Sequence, residues 1–469
     1  MGTTQPDVAV IGGGAAGLGA AMYARRAGAE VVLIERDRLG GDCTWTGCVP
    51  SKTVIEQARR VHIARGMGSV DPPDTADVLA HARKVVHEIA AEEDADALAS
   101  LGIQVVTGQA RFVSRDELDV DGIRLRPRAT IVATGSTAVV PPIPGLADAD
   151  PLTNETVFEL ARLPERLAIL GAGSVGVELG QACARLGSQV TLVDLAPRVV
   201  ASEEPETSAV LTRALSREGV EIHTDVTVDT TTRDGDGTTL HADGRPVVTA
   251  DRVLVAVGRR PVTDGLDLPR AGLHTSDDGT IPVDRRMRTP VPGILAIGDV
   301  TAFPRLTHAG YRMGQIASHT ALHRAPWRFA PDRLPWAIFT DPEVGRVGMT
   351  ESQAFEQYGE RARVVVFPVR KTDRARTADT AEGIVKLIAA PHPVIRDALG
   401  GRLVGATVVS PHGGDIIGEL ALAVRSRTSL LRLAQTVHAY PTWSFAVWEA
   451  VGRYFGPHKH GRARPARAG

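Results

Sequence analysis

The chain has 469 residues, 43% of them hydrophobic and 23% charged, with a formal net charge of -2. That length exceeds one ordinary hydrophobic core and predicts two to four domains in an ordinary globular protein. The near-neutral balance gives no bulk attraction to nucleic acid or an anionic membrane, and no apolar run approaches the ~18 residues that a membrane span requires.

The first predicted strand, "DVAVIGGG", ends in glycines and leads into "AAGLGAAMYARRAG", which has helical periodicity; a second strand, "EVVLIE", follows. Gly12, Gly14 and Gly17 therefore lie between a strand and a helix. Glycines there let the backbone approach a pyrophosphate, and the helix N-terminus offers unpaired N–H groups. Glu35 closes the second strand, where a ribose hydroxyl needs an acceptor.

Next comes "GGDCTWTGCVPSK", from Gly40 to Lys52, with two of the chain's three cysteines. So few cysteines argue against a secreted disulfide scaffold, and together with a start that lacks a signal-like segment they predict a cytoplasmic protein. In a reducing compartment a close pair is catalytic or metal-binding before it is structural. Structural zinc needs four ligands and this segment offers two, so no metal site is expected. A staple over so short a loop removes little chain entropy. Pro50 suits a first helical turn, which places Cys48 at the N-terminus of a helix through "SKTVIEQARRVHIA", where a thiolate is stabilised.

Helical patterns follow from about Ala76 to Leu101, then a small antiparallel meander from Gly102 to Arg126. Three buried-looking strands end in glycine: "ATIVATGS" at Gly135, "RVLVAVGRRP" at Gly258, and "GILAIGDV", which carries Asp299. Between the first two, "RLAILGAGSVGVELGQACARLGSQVTLVD" repeats the strand–glycine–helix–strand pattern with Gly171, Gly173 and Gly176, closed by Asp194. Two bound nucleotides are expected. Cys183 reads as a small core residue of that helix. From about Arg333, strands followed by helices predict a separate α+β unit, and the end, "GPHKHGRARPARAG", reads as a basic frayed tail.

The order of these motifs resembles the class I pyridine nucleotide–disulfide oxidoreductases, the family of dihydrolipoamide dehydrogenase, glutathione reductase and mercuric reductase. The resemblance runs from Asp7 to about Tyr454 and includes both fingerprints, the cysteine pair before "VPSK", "AIGDV" and "FTDPEVGRVGMTE". It implies an α/β fold with two Rossmann-like dinucleotide-binding domains and a C-terminal α+β dimerisation domain. The implied division is an FAD-binding part over 1–150, an NAD(P)-binding domain over 151–280, a second FAD-binding part over 281–332, a dimerisation domain over 333–456 and a tail over 457–469.

By that resemblance the first fingerprint holds FAD, with Glu35 on the ribose and Asp299 on the ribityl or pyrophosphate region; the second holds a nicotinamide cofactor. An acid at 194 accepts from a free 2′-hydroxyl and repels a 2′-phosphate, which favours NADH, with NADPH left open by nearby Arg198. The resemblance assigns Cys48 to the flavin side, Cys43 to exchange with an acceptor, and Lys52 to the flavin region paired with Glu178. It also implies a homodimer in which the C-terminal domain of one subunit completes the site of the other.

Three places depart from the family pattern. Where its disulfide-reducing members carry histidine before proline, with glutamate five residues on, this chain has Tyr440 and Phe445 in "VHAYPTWSFAVWE". A phenol is a poor base near neutral pH, which disfavours dihydrolipoamide dehydrogenase turnover; His438 is a candidate substitute. Asp42 and Trp45 replace the usual threonine and asparagine, predicting altered access and a raised pKa for the outer thiol. The tail also lacks the second cysteine pair of full mercuric reductases. The expected function is NADH oxidation through FAD and Cys43/Cys48 to an unassigned small-molecule acceptor, with a mercuric reductase-like or quinone/diaphorase-type reductase as the enzyme alternative and a flavin redox sensor as the non-enzyme one.

Overall fold

A computed structural model of the chain describes residues 5–68, 73–324, 327–379, 382–392 and 398–455. The basic tail lies outside them. The chain divides into two compact units, one of residues 1–170, 185–188 and 228–331, the other of 171–184, 189–227 and 332–469.

The first unit is built on a parallel sheet of five short strands in the order Ile294–Ala296, Ala129–Val132, Val8–Ile11, Val31–Glu35 and Gln104–Thr107. Val8–Ile11 and Ala129–Val132 are buried at every position, which suits their continuous apolar sequence in a sheet covered on both faces. The helix Ala15–Arg26 follows the first strand. It approaches the helix Thr307–Ala321 at glycine: a Cβ on Gly314 would stand 2.7 Å from the Ala16 carbonyl oxygen.

The expected meander is present as Ala110–Ser114, Glu117–Val120 and Ile123–Leu125, paired antiparallel, and it contributes Phe112, Leu118, Val120 and Leu125 to the core under the parallel sheet. The helical stretch before it forms two helices, Thr75–Ala90 and Ala95–Ser100, whose first turns are capped by the side chains of Asp74 and Asp94. A second antiparallel sheet, Thr230–Asp234, Gly237–Ala242 and Arg245–Ala250, was not anticipated from the sequence. Its last hairpin turns on Asp243 and Gly244, both at positive φ (52° and 69°), as a two-residue turn of the primed type requires.

The second unit carries the C-terminal α+β arrangement. Five antiparallel strands run in the order Pro335–Ile338, Glu343–Gly348, Arg402–Ser410, Ile384–Ala390 and Arg363–Pro368. The helices Gly413–Arg425, Leu430–Gln435 and Phe445–Phe455 bury Leu420, Leu430, Leu433 and Val447 in one core with Val385, Leu387 and Val408 of the sheet. This unit also buries a charge: Lys386 lies 2.8 Å from Glu204, 3.0 Å from Glu206 and 2.6 Å from Glu351.

Candidate active site

The first glycine fingerprint forms a cradle that larger residues could not. Gly12 has φ 107°, and a Cβ on Gly17 would run into the Gly12 carbonyl oxygen. Gly14 is the N-cap of Ala15–Arg26 and has no side chain to cover the helix amides. The Glu35 carboxylate accepts the Gly13 N–H at 2.6 Å and the Asp37 N–H at 2.9 Å, which fixes the loop while leaving lone pairs for a ribose. A groove beside it is lined by Gly12, Glu35, Arg36, Gln109, Thr134 and Asp264. These residues fit the adenosine and pyrophosphate parts of a dinucleotide. Asp299, on a turn begun by Gly298 at φ 71°, accepts from the Ser136 hydroxyl at 2.7 Å; Gly135 and Gly258 also have positive φ, 71° and 146°.

The second fingerprint repeats the geometry in the other unit. Gly171 has φ 109°, a Cβ on Gly173 would meet open space, and Gly176 lies in the helix Ser174–Arg185. The Asp194 carboxylate accepts the Ala172 N–H and, at 2.7 Å, the Ala196 N–H, matching Glu35. Nη2 of Arg198 donates to the carbonyls of Ala201 at 2.7 Å and Glu203 at 3.2 Å.

Cys43 lies in the short helix Gly41–Trp45, and Cys48 is the first residue of the helix Cys48–Met67. Both are free thiols. The Thr307 hydroxyl sits 3.3 Å from the Cys43 sulfur and 3.4 Å from that of Cys48. A hydrogen bond from Cys43, opposed by burial and helped by Thr307 and the charge of Lys52, holds the Cys48 pKa down to about 6. The same bond, burial and the charge on Cys48 push Cys43 up. The pair is therefore a thiolate at the exposed Cys48 beside a neutral thiol at the half-buried Cys43. Cys183 is buried, and burial pushes it up to about 12, as befits an inert core residue.

One expectation about this loop needs correcting. Asp42 is not the cause of the raised Cys43 pKa; its charge opposes ionisation of Cys48 instead. Its carboxylate is taken up by Arg259 at 3.0 Å, Asn154 at 3.2 Å and the Thr46 hydroxyl. Trp45 anchors the loop: its indole N–H donates to the Leu39 carbonyl at 2.7 Å, and the Arg38 guanidinium lies 4.3 Å from its ring centre. Arg259, Asn154 and Thr307 were missed from the sequence because each is more than 100 residues from the cysteines.

Lys52 lies one turn beyond Cys48. Glu178, buried in the other unit, accepts the Phe339 N–H at 2.9 Å. Tyr440 is exposed and donates its hydroxyl to Asp373 at 2.8 Å, with the Phe445 ring edge-on at 5.4 Å. Asp373 holds the Tyr440 pKa above the usual phenol range. The His438 imidazole has Nε2 2.9 Å from Glu419 and Nδ1 3.0 Å from the Thr436 carbonyl. Asp373 and Glu419 carried no signal in the sequence; each is a single acid on a distant segment. Among the described residues no cluster of three or more His, Cys, Asp or Glu is placed to hold a metal ion.

The model of the pyridine nucleotide-disulphide oxidoreductase family matches residues 6–314, and that of the family's dimerisation domain matches residues 334–451. The chain belongs to this family. A mercuric reductase of Streptomyces lividans is 36% identical, over 95% of this oxidoreductase and 95% of the relative. A dihydrolipoyl dehydrogenase of Thermus scotoductus is 34% identical, over 95% and 96%. Among solved structures, the HOCl-induced flavoprotein disulfide reductase RclA of Escherichia coli superposes with a TM-score of 0.84 at 27% identity, covering 95% of this chain and 99% of RclA. LpdA of Mycobacterium tuberculosis gives 0.86 at 28%, covering 97% and 100%. The protein is thus an FAD-dependent oxidoreductase that uses a pyridine nucleotide and carries a redox-active cysteine pair and a dimerisation domain. No helix among its described residues is long and apolar enough to cross a membrane.

Proposed function

We propose that this oxidoreductase takes two electrons from NADH, in preference to NADPH, and passes them through Cys43 and Cys48 to a small-molecule acceptor. The observation that carries the reading is the Cys48 thiolate, at a helix N-terminus, hydrogen-bonded by Cys43 and Thr307, with the Lys52 charge nearby. Bound FAD supplies a carrier between the nucleotide and the disulfide. Opening the disulfide takes two electrons and one proton and leaves a Cys48 thiolate and a Cys43 thiol; re-forming the bond returns them to the acceptor.

Support for NADH comes from Asp194, a carboxylate where a 2′-phosphate would be repelled. We read Lys52 and Glu178 as a pair at the flavin, and the protein as a cytoplasmic homodimer with the sequence-based division of domains, in which Tyr440 acts across the interface.

The acceptor we favour is one that needs no imidazole base, since Tyr440 is committed to Asp373 and Phe445 stands in place of glutamate. A thiol-bound metal ion or a quinone meets that condition better than a lipoyl disulfide. Mercuric reductases among the relatives, and a Cu(II) complex of RclA among the structures, support the metal. Steady-state oxidation of NADH and NADPH with Hg(II)-thiolate, Cu(II), a quinone and lipoamide tests the reading. Turnover fastest with NADPH and lipoamide would contradict it.

A further inference from the structure

Arg259 spends its guanidinium on the segment around the cysteines. Nη2 meets Asp42 at 3.0 Å, Nη1 donates to the Asn154 side-chain oxygen at 3.1 Å, Nε donates to the Ser136 hydroxyl and Nη2 to the Ser136 carbonyl, both at 2.8 Å. Asn154 completes the grip by donating to Asp42 at 3.2 Å and to the Thr46 carbonyl at 3.3 Å. Asp42 precedes Cys43, and Thr46 lies between the two cysteines, so the loop is held on both sides of its first sulfur. The mount is stiff: Arg259–Pro261 pairs antiparallel with Ser136–Ala138. A lysine at 259 could reach Asp42 but could not match the planar fork that serves Asn154 and Ser136 together.

We propose that Arg259 is a positioning residue for the redox pair, fixing the loop through Asp42 and Asn154 in the arrangement from which the Cys43–Cys48 disulfide closes. The inference rests on reading that pair as the electron relay. With the loop already ordered in the dithiol, closure freezes little further motion. Without the clamp the dithiol loop gains freedom that closure must remove again, so the equilibrium moves toward the dithiol. Ser136 donates onward to Asp299, so the same chain of bonds ends at the residue that the family resemblance places on FAD.

The test equilibrates the flavin-loaded protein with oxidised and reduced dithiothreitol and counts alkylated Cys43 and Cys48 after acid quenching. In the exchange the Cys43 thiol and Cys48 thiolate give up two electrons and one proton and gain one S–S bond, while cyclic dithiothreitol loses its S–S bond and takes up those two electrons, that proton and one more from solvent. Arg259→Met should lower the disulfide-forming constant by roughly three- to fivefold, the scale of one part-exposed ion pair. Asp42→Asn should move it the same way, Arg259→Lys should fall between, and the Arg259→Met/Asp42→Asn double variant should add little to the larger single effect. If Arg259→Met does not fold, Asp42→Asn and Arg259→Lys carry the test. A wild-type constant in Arg259→Met, or in those two variants, overturns the clamp alone, as do fully additive effects. A wild-type pair that never forms a disulfide overturns the relay reading as well.

Discussion

Tyr440 donates its phenolic hydrogen to Asp373 at 2.8 Å, in the place where disulfide-reducing members of the family keep an imidazole. Asp373 holds the phenol in its neutral form, so Asp373→Asn should bring the Tyr440 pKa down, read as tyrosinate absorbance against pH and compared with Tyr440→Phe. An unchanged titration would remove Asp373 as the cause.

Restoring the missing base makes a complementary prediction. The Tyr440→His/Phe445→Glu variant should gain lipoamide turnover by about a hundredfold, the lower end of general acid–base catalysis. Quinone or metal turnover should not rise with it. A variant that folds, binds flavin and shows no lipoamide gain would place the block elsewhere.

The Cys48 pKa of about 6 sets a pH dependence. Alkylation of Cys48 should be fast above about pH 6 and fall as pH drops through it. Thr307→Val and Lys52→Met should each move that midpoint up, since each removes a group that favours the thiolate. Because the folded pKa lies below the ordinary thiol value of 9.0, this group's stabilising contribution is full above that value and is lost as pH falls through about 6. A midpoint near the ordinary value in the wild type would contradict the assignment of the thiolate to Cys48.

The glycine cradle and the cysteine pair were legible in the sequence because their information is local. Gly12, Gly14 and Gly17 sit within six residues of one another between a strand and a helix, and the Cys48 helix is announced by Pro50. The groups that tune them are not local: Arg259, Asn154 and Thr307 reach the loop only through the tertiary fold, and a single arginine or threonine carries no spacing pattern. The hairpins over 230–250 were missed for another reason. Their strands are rich in threonine and charge rather than apolar residues, although the Asp243–Gly244 turn was a readable signal. Asp42 shows the limit of reasoning from sequence neighbours, since it adjoins Cys43 in the chain but spends its carboxylate on Arg259.

Gly17→Ala should abolish flavin retention, because the added methyl runs into the Gly12 carbonyl. Flavin absorbance per protein measures it, and a fully loaded variant would contradict the cradle.

Lys386→Met should destabilise the protein by about 3–5 kcal/mol, since removing the cation leaves Glu204 buried beside Glu206 and Glu351 without its partner. The shift in denaturant midpoint reads it. A change within experimental scatter would contradict the reading of Lys386 as the cation that Glu204 requires.

The most direct test of the central claim is anaerobic reduction of the flavin-loaded protein by NADH, followed by the long-wavelength absorbance of a thiolate against flavin, in wild type, Cys43→Ser and Cys48→Ser. The account predicts the band in wild type after reduction, in Cys43→Ser without reduction, and not in Cys48→Ser. A band that survives in Cys48→Ser, or undiminished acceptor turnover in both serine variants, would contradict the passage of electrons through Cys43 and Cys48.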